Sequence, residues 1–518
     1  MPAPSAEAFE RLRSLVAIED AAERPTRTID EVFTGRPLAT IPVGTAADVA
    51  SAFDKARAAQ KDWVQRPVAE RVAIIRRYLD LVVEHRDFLM DLLQAEAGKA
   101  RWAAQEEVID LAANANYYAA VSEDMLKTRR VPSLLPGIGK TTVGYQPKGV
   151  VGVISPWNYP MTLTASDAVP ALIAGNAVVL KPDSQTPYSA LACAELLYRA
   201  GLPKAIYAIV PGPGSVVGTA IIEHCDYLMF TGSSATGSHL AEQCGRRLIG
   251  FSAELGGKNP MIVTRGVNIG KAATAAVRAC FSNAGQLCIS IERIYVEQSV
   301  AEEFTRKFGD AVCTMTLGTA YDFSADMGSL ISEGQLKFVS DHVEDAKAKG
   351  AKVIAGGKAR PDIGPLFYEP TVLTGVTADM QCAGNETFGP VVSIYPVADV
   401  EEAVARANDT DYGLNASVWA GSDAEGEKIA ARLHCGTVNV NEGYAMTWGS
   451  LRAPMGGMGI SGLGRRHGAE GLLKYTEVQT IATARVMNLD PPFGIPQELW
   501  QKSLFPLVRT MMRLPGRN

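Results

Sequence analysis

No two cysteines of this chain are spaced as metal ligands or as obvious partners. The eight, at positions 193, 225, 244, 280, 288, 313, 382 and 435 of 518, include no C-x-x-C pair. In a chain this long that argues against a disulfide framework or a zinc site, and for reduced thiols in a cytosol. The six histidines are equally dispersed, so no metal is expected. Long apolar runs are missing too. The nearest, 168–180, is interrupted by Pro170, Gly175 and Asn176, and falls short of the roughly eighteen residues a membrane-spanning helix needs. Residues 1–20 mix Glu and Asp with Arg around no apolar core, so no secretory signal is expected and the protein reads as cytoplasmic. A net charge of −6 gives no general attraction for nucleic acid. There is no low-complexity segment and no internal repeat.

What is present is the composition of an ordinary globular protein, 47% hydrophobic and 20% charged, long enough for two or more domains. Residues 1–45 read as an irregular lead-in with one helix. Helical periodicity covers 46–60, 67–97 and 103–121, and the alternating charges of 70–86 read as a solvated face. From Gly149 apolar β-rich runs (150–154, 177–180, 205–210, 227–230, 247–252) alternate with helical segments (163–174, 188–200, 215–224, 234–244). A second alternating series begins near Asn259, with strands at 260–263, 293–297, 352–354, 391–396, 416–420 and 437–440. Its helices fall at 300–312, 334–349, 400–408 and 424–433. Near-continuous hydrophobic strands alternating with helices predict parallel sheets covered on both faces, hence two α/β lobes with a cleft between them. Residues 499–518 place Trp500, Leu504, Leu507, Val508, Met511, Met512 and Leu514 at helical spacing among Lys502, Arg509, Arg513 and Arg517. Such a basic amphipathic segment either packs on its own protein or a sister subunit, the favoured reading, or rests on a membrane surface.

Chemistry gathers around 281–288, where a helix is expected to stop near Gly285 and leave Cys288 on irregular backbone before a strand. A thiol there is either a structural core group or a nucleophile, and the nucleophile needs a base and a place for an oxyanion. Glu254, ending the last strand of the first lobe, can serve as base; the plain alternative is a surface acid or a cap. Asn158, after the first strand, can donate its amide, although Asn beside Pro is also ordinary turn chemistry. Lys181 ends the next strand with Ser184 close behind. Gly232 and Ser233 turn from strand into helix, a usual place for backbone N–H groups to hold phosphate. Gly212-x-Gly214 is another glycine turn and is weak by itself. Parallel sheets bind ligands beyond the carboxyl ends of their strands, where these residues jointly fall.

The motifs SPWNYP (155–160), GNAVVLKP (175–182), FTGSSATG (230–237), ELGGKNP (254–260), GQLC (285–288), ETFGPV (386–391) and PMGGMGISGLGRR (454–466) stand in order along about 30–486. In them the chain resembles the NAD(P)-dependent aldehyde dehydrogenase superfamily, and within it the NADP-dependent succinate-semialdehyde dehydrogenases of the second actinobacterial type. The resemblance implies an aldehyde-dehydrogenase-like α/β fold of two parallel-sheet lobes and a small oligomerisation β-ribbon. A dinucleotide-binding domain would comprise 1–127 and 146–253, and a catalytic domain 254–445. The ribbon would comprise 128–145 and 475–486, an anchor loop 446–474, and a tail 487–518. It implies Cys288 as nucleophile, Asn158 and the Cys288 N–H at the oxyanion, and Glu254 as the base that activates water on a thioester. It also places Trp157, Lys181, Ser184 and Gly214 along the adenosine ribose and Gly232 and Ser233 by the pyrophosphate. Leu255 would lie near the nicotinamide, with Glu386 and Phe388 at its ribose. A homodimer or homotetramer and a small aldehyde substrate follow.

Departures refine this. Many NAD-using members carry a Glu where this chain has Ser184, and without that carboxylate Lys181 is available to a 2′-phosphate. NADP is therefore expected, with NAD open because Asp183 is adjacent. Some succinate-semialdehyde enzymes hold the distal carboxylate with two arginines, at positions that are Ser166 and Ser282 here. Ser282, Ser450 and Arg452 are the candidate substrate residues, Ser450 and Arg452 equally readable as part of a loop touching a neighbouring subunit. A redox partner cysteine two residues beyond the nucleophile is replaced by Ser290, leaving Cys280 as the nearest thiol. Succinate semialdehyde leads as substrate by resemblance, with a less polar aromatic or medium- to long-chain aldehyde as competitor. Acylating chemistry on coenzyme A is opposed by Glu254, and a catalytically silent relative by the intact Cys288, Glu254 and Asn158.

Overall fold

The computed structural model describes residues 3–132, 139–484, 491 and 494–513. Strands that are apolar on both faces have to be covered on both faces, and the first alternating series does this. Five parallel strands lie in the order Gly250–Glu254, Tyr227–Thr231, Val150–Ile154, Ala177–Lys181, Tyr207–Ile209, and the short Gly462–Leu463 adds an antiparallel edge beside Gly250–Glu254. Val150, Val151, Val178, Val179 and Leu180 are fully buried, each contributing about 1.5–3 kcal/mol by leaving water. Ile154, Lys181, Thr231 and Glu254 all end their strands at one edge of this sheet.

The second sheet runs Lys352–Ala355, Thr371–Thr374, Val391–Val397, Ile291–Glu297, Asn259–Val263, Asn415–Trp419, Thr437–Val440, parallel except for its first member. Each sheet has its own apolar core. A third, smaller cluster comprises Tyr159, Leu163, Leu287, Ile289, Leu414, Tyr444 and Met455, with Cys288 packed against it. Cys288 and Glu386 precede the strands Ile291–Glu297 and Val391–Val397, so the second sheet presents amino ends where the first presents carboxyl ends. The cleft uses both.

Several elements differ from expectation. The lead-in 1–45 is not irregular after its helix Ala6–Arg13, because Thr26–Glu31 and Arg36–Pro42 pair as an antiparallel hairpin. The periodic stretch 67–97 is two helices, Val68–Glu84 and Arg86–Ala97, parted where His85 leaves helical geometry (φ −98°, ψ 13°). The strand expected over 247–252 is Gly250–Glu254 instead. Arg247 still belongs to the preceding helix and donates to the carbonyls of Ile222 and Cys225, and the exposed Leu248 turns the chain at φ 56°. Thr371–Thr374 is a strand with no earlier counterpart, too short for periodicity to mark.

Strand Thr476–Ala484 pairs antiparallel with Gly139–Pro147, which pairs with Arg129–Val131. Positions 133–138 and 485–486 of the expected ribbon lie outside the described residues, as do 487–490, 492–493 and 514–518 of the tail. Within the tail Gln497–Met512 is a helix with Trp500 buried and Phe505 exposed. Among the described residues no helix is long and apolar enough to cross a membrane.

Candidate active site

Helix Ile269–Phe281 ends because Ser282 turns extended (ψ 133°), and the next three residues are left-handed: Asn283 at φ 51°, Ala284 at 55° and Gly285 at 70°. Two of these carry side chains, and such conformations cost roughly 1–3 kcal/mol each unless the surroundings over-determine them. Here they do. The Asn283 amide donates to the carbonyls of Asn158 and Gln286, both at 3.1 Å. Gln286 accepts from the Ile331 N–H at 3.0 Å and donates to the Asn283 and Ser329 carbonyls. Gly285 lies so close to the Gly389 carbonyl that a Cβ would stand 2.1 Å from it. Beyond the turn, the Asn259 amide donates to the carbonyls of Cys288 (2.8 Å) and Ser290 (2.7 Å). Cys288 is thus carried on a fixed backbone with its side chain partly exposed.

Asn158 arrives from the other sheet. Its amide donates to the Gln286 carbonyl at 3.1 Å, which engages one of its two N–H bonds and leaves the other available. The loop is braced from behind by Glu107, whose Oε1 accepts from Met161 N (2.6 Å) and Thr162 N (2.9 Å). Lys99, fully buried, lies 3.1 Å from Glu107 Oε2 and 3.5 Å above the Tyr159 ring.

Glu254 is buried at the strand end, and a Cβ on Gly456 would approach its Oε1 to 3.0 Å. Burial raises its pKa to about 7, with Arg466, Lys474 and Arg465 working against that rise. Behind it Arg466 pairs with Asp167 at 2.5 Å. The Cys288 thiol is pushed up to about 12, first by desolvation and then by the Glu254 carboxylate, while Arg466 and its own backbone N–H favour the thiolate. Burial thus keeps the proton on the sulfur at neutral pH and raises the proton affinity of the Glu254 carboxylate, the group able to accept one.

Cys288, Asn158 and Glu254 line one cavity of about 290 Å³ together with Trp157, Gly232, Ser233, Leu255, Glu386 and Phe388. Ser233 caps helix Ser234–Arg247, giving that helix N-terminus to the cavity wall, an arrangement suited to a pyrophosphate. Trp157 meets Phe388 edge-on at 5.5 Å. Glu386 Oε1 accepts from Gly257 N at 2.8 Å, and burial followed by the nearby Glu292 raises its pKa to about 8. Lys181, Ser184 and Gly214 are not in this cavity but stand further along the same sheet edge. Lys181 is buried, its Nζ donating to the Pro182 carbonyl at 2.8 Å, and burial lowers its pKa. Ser184 donates to the Gly212 carbonyl at 3.3 Å, and Gly214 has open space where a Cβ would be. Asp183 accepts from the Gln185 N–H at 2.9 Å, within its own turn. An elongated track with a helix N-terminus midway and a cation at its far end fits a dinucleotide.

Ser282 is buried and shares a 2.6 Å hydrogen bond with the Tyr444 hydroxyl. Ser450 is exposed and donates to the Met446 carbonyl at 2.6 Å, and Arg452 is exposed, so neither stands in the cavity. Ser166 donates to Asp110 at 2.8 Å. Sequence reasoning missed the brace Lys99–Glu107, the pair Arg466–Asp167, and Glu292. The last bonds Lys258 at 2.5 Å and accepts the N–H groups of Thr387 and Phe388, holding the turn that carries Glu386. Lys258 and Arg466 lie inside the quoted motifs, a usable signal; Glu292 and Lys99 carried none.

With this geometry in place, comparison with known proteins is direct. The profile of the aldehyde dehydrogenase family matches residues 18–481, and the chain belongs to that family. Over all 518 residues, and the whole of both chains, it is 81% identical to a Mycobacterium tuberculosis protein named an NADP(+) succinate-semialdehyde dehydrogenase 2, an assignment its name marks as provisional. It is 36% identical over 450 residues to the NADP(+) succinate-semialdehyde dehydrogenase GabD of Escherichia coli, covering 86% of this chain and 92% of that one. Among solved structures, the succinate-semialdehyde dehydrogenase of Burkholderia pseudomallei superposes with a TM-score of 0.85 at 35% identity, covering 89% of this chain and 95% of that one. A Bacillus cereus aldehyde dehydrogenase solved as its NAD+ complex has the same TM-score at 33% identity, with 89% and 93% covered.

Proposed function

We propose that this aldehyde dehydrogenase oxidises succinate semialdehyde to succinate with NADP. The observation that carries the chemistry is the meeting of Cys288, the Asn158 amide and Glu254 in one cavity between the two sheets. The substrate and cofactor reading draws support from the full-length relatives of that name. A bound nicotinamide dinucleotide supplies the acceptor for the hydride lost by the aldehyde carbon.

The chain's own residues do the rest. The Cys288 sulfur adds to the carbonyl carbon as its proton leaves toward Glu254, giving a thiohemiacetal. The free N–H of the Asn158 amide and the Cys288 backbone N–H hold the oxygen as it becomes negative, a stabilisation that grows along the reaction path. Loss of the carbon's hydrogen with its electron pair leaves a thioester on Cys288. Glu254 releases the thiol's proton to solvent and then takes a proton from water attacking that thioester; the carboxylic acid departs and Glu254 returns this second proton to the sulfur. Ser184, in place of an acid, and Asp183, engaged with Gln185, support a 2′-phosphate near Lys181. The edge strand Thr476–Ala484, with Val478 and Ile481 exposed, supports assembly into a homodimer or homotetramer.

The test is a panel of succinate semialdehyde, benzaldehyde and a long-chain aldehyde, ranked by kcat/KM with NADP and NAD and without coenzyme A. Succinate semialdehyde with NADP should rank first, and Cys288→Ala should abolish turnover. Activity persisting in that variant removes the mechanism; another aldehyde ranking first removes the substrate. The second reading, a less polar aldehyde, draws on the apolar cluster of Tyr159, Leu163, Leu287 and Met455 around Cys288.

A further inference from the structure

Ser166 and Ser282 carry no charge, yet an arginine, Arg278, stands one helical turn before Ser282. A cavity of about 630 Å³ opens between helices Arg101–Met125 and Ile269–Phe281, with Trp102, Glu106, Arg278 and Ser282 among its walls. Ser282 Oγ lies 2.9 Å from the Arg278 carbonyl and 2.6 Å from the Tyr444 hydroxyl. That hydroxyl is 3.3 Å from each oxygen of Glu106, and Arg278 Nη2 donates to Glu106 Oε1. On its inner side Tyr444 belongs to the apolar cluster that packs on Cys288. Tyr159 belongs to the same cluster. The contacts run from Cys288 through this apolar cluster to the Tyr444 and Ser282 hydroxyls, and from there to Glu106 and Arg278.

That order matches a short aldehyde with an anion at its other end. We propose that Arg278 receives the distal carboxylate of the substrate, and that Glu106 is a resident carboxylate competing for the same guanidinium. This rests on the substrate reading above. Arg278 is suited to hold two acceptors: a guanidinium has five N–H donors, Glu106 takes Nη2, and the side chain remains 55% exposed while lying 5.3 Å from the Trp102 ring. Glu106, at 10% exposure, partly neutralises it, which weakens the hold on an incoming anion. The two residues must therefore act with opposite sign.

The experiment compares kcat/KM for succinate semialdehyde with that for butanal, which has the same carbon count and no charge. In Arg278→Leu the ratio should fall roughly ten- to a hundredfold, the range for one lost charge-assisted hydrogen bond. Arg278→Lys should retain part of it, and keeps the test available if the leucine variant does not fold. Glu106→Gln should raise the ratio. Free succinate should also slow alkylation of Cys288 by iodoacetamide in the unaltered protein and less so in Arg278→Leu. A ratio unchanged within about twofold in the arginine variants, or lowered in Glu106→Gln, overturns the proposal. Failure of the unaltered protein to oxidise succinate semialdehyde would instead overturn the substrate reading on which it rests.

Discussion

Replacing Glu254 with Gln removes a carboxyl that burial holds at about pKa 7, and leaves an amide of the same shape. The sign follows from which form works. A base must be unprotonated, so the water-activating step should speed up as pH rises through the folded pKa. From pH 6 to pH 8 the ionised fraction of such a group climbs from about a tenth to about nine tenths, so the hydrolytic step should quicken nearly tenfold across that interval. In Glu254→Gln that limb should flatten and steady turnover should fall by roughly 10²–10⁴, the usual worth of a positioned base. Rapid mixing with excess aldehyde separates the steps by following reduced cofactor at 340 nm. Because Glu254 also receives the thiol proton, the burst of one equivalent per site should form more slowly than in the unaltered protein but still precede a slower steady phase, and quenched protein should carry the acyl group on Cys288. No burst, with no acylated cysteine, would show that the earlier steps had failed instead, and a pH limb surviving in the variant would remove Glu254 as its origin.

Other consequences are testable more briefly. Ser184→Glu should shift the ratio of dissociation constants for NADP and NAD at least about tenfold toward NAD, about 1.4 kcal/mol, measured by titration calorimetry. An unchanged ratio would refute the account of that site. Gly285→Ala places a methyl 2.1 Å from the Gly389 carbonyl on a backbone at φ 70°, so it should cost about 2–5 kcal/mol and lower the melting temperature along with turnover. An unaltered melting curve would show that the two loops are not locked together.

Legibility in the sequence followed physical range. Buried parallel strands announce themselves as apolar runs, and Val150–Ile154 and Thr437–Val440 lie where those runs stand. Where local signals conflict, boundaries slid: Arg247 is consistent with a helix end, but only its bonds to the Ile222 and Cys225 carbonyls reveal that it belongs there. The hairpin Thr26–Pro42 alternates too weakly to be seen before its pairing is known. In the site, Cys288, Asn158 and Glu254 were recognisable because their motifs are contiguous. Lys99, Glu107 and Glu292 were not, because their value lies in distant contacts, such as Glu107 with Met161 over 54 positions and Glu292 with Thr387 over 95. The opposition of Arg278 and Glu106 spans 172 positions and could be found only in space.

The antiparallel strand Gly462–Leu463 beside Gly250–Glu254, with Gly456 against the Glu254 carboxyl, bears on the order in which a ribosome delivers the chain. Glu254 and Cys288 emerge while the segment that walls in the carboxyl is still unmade. A nascent or prematurely ended chain therefore has its sulfur without the surroundings that set its partner's proton affinity. Competence arrives late and all at once, when the final strands close the first sheet, so truncation should yield silent protein rather than a partly working one.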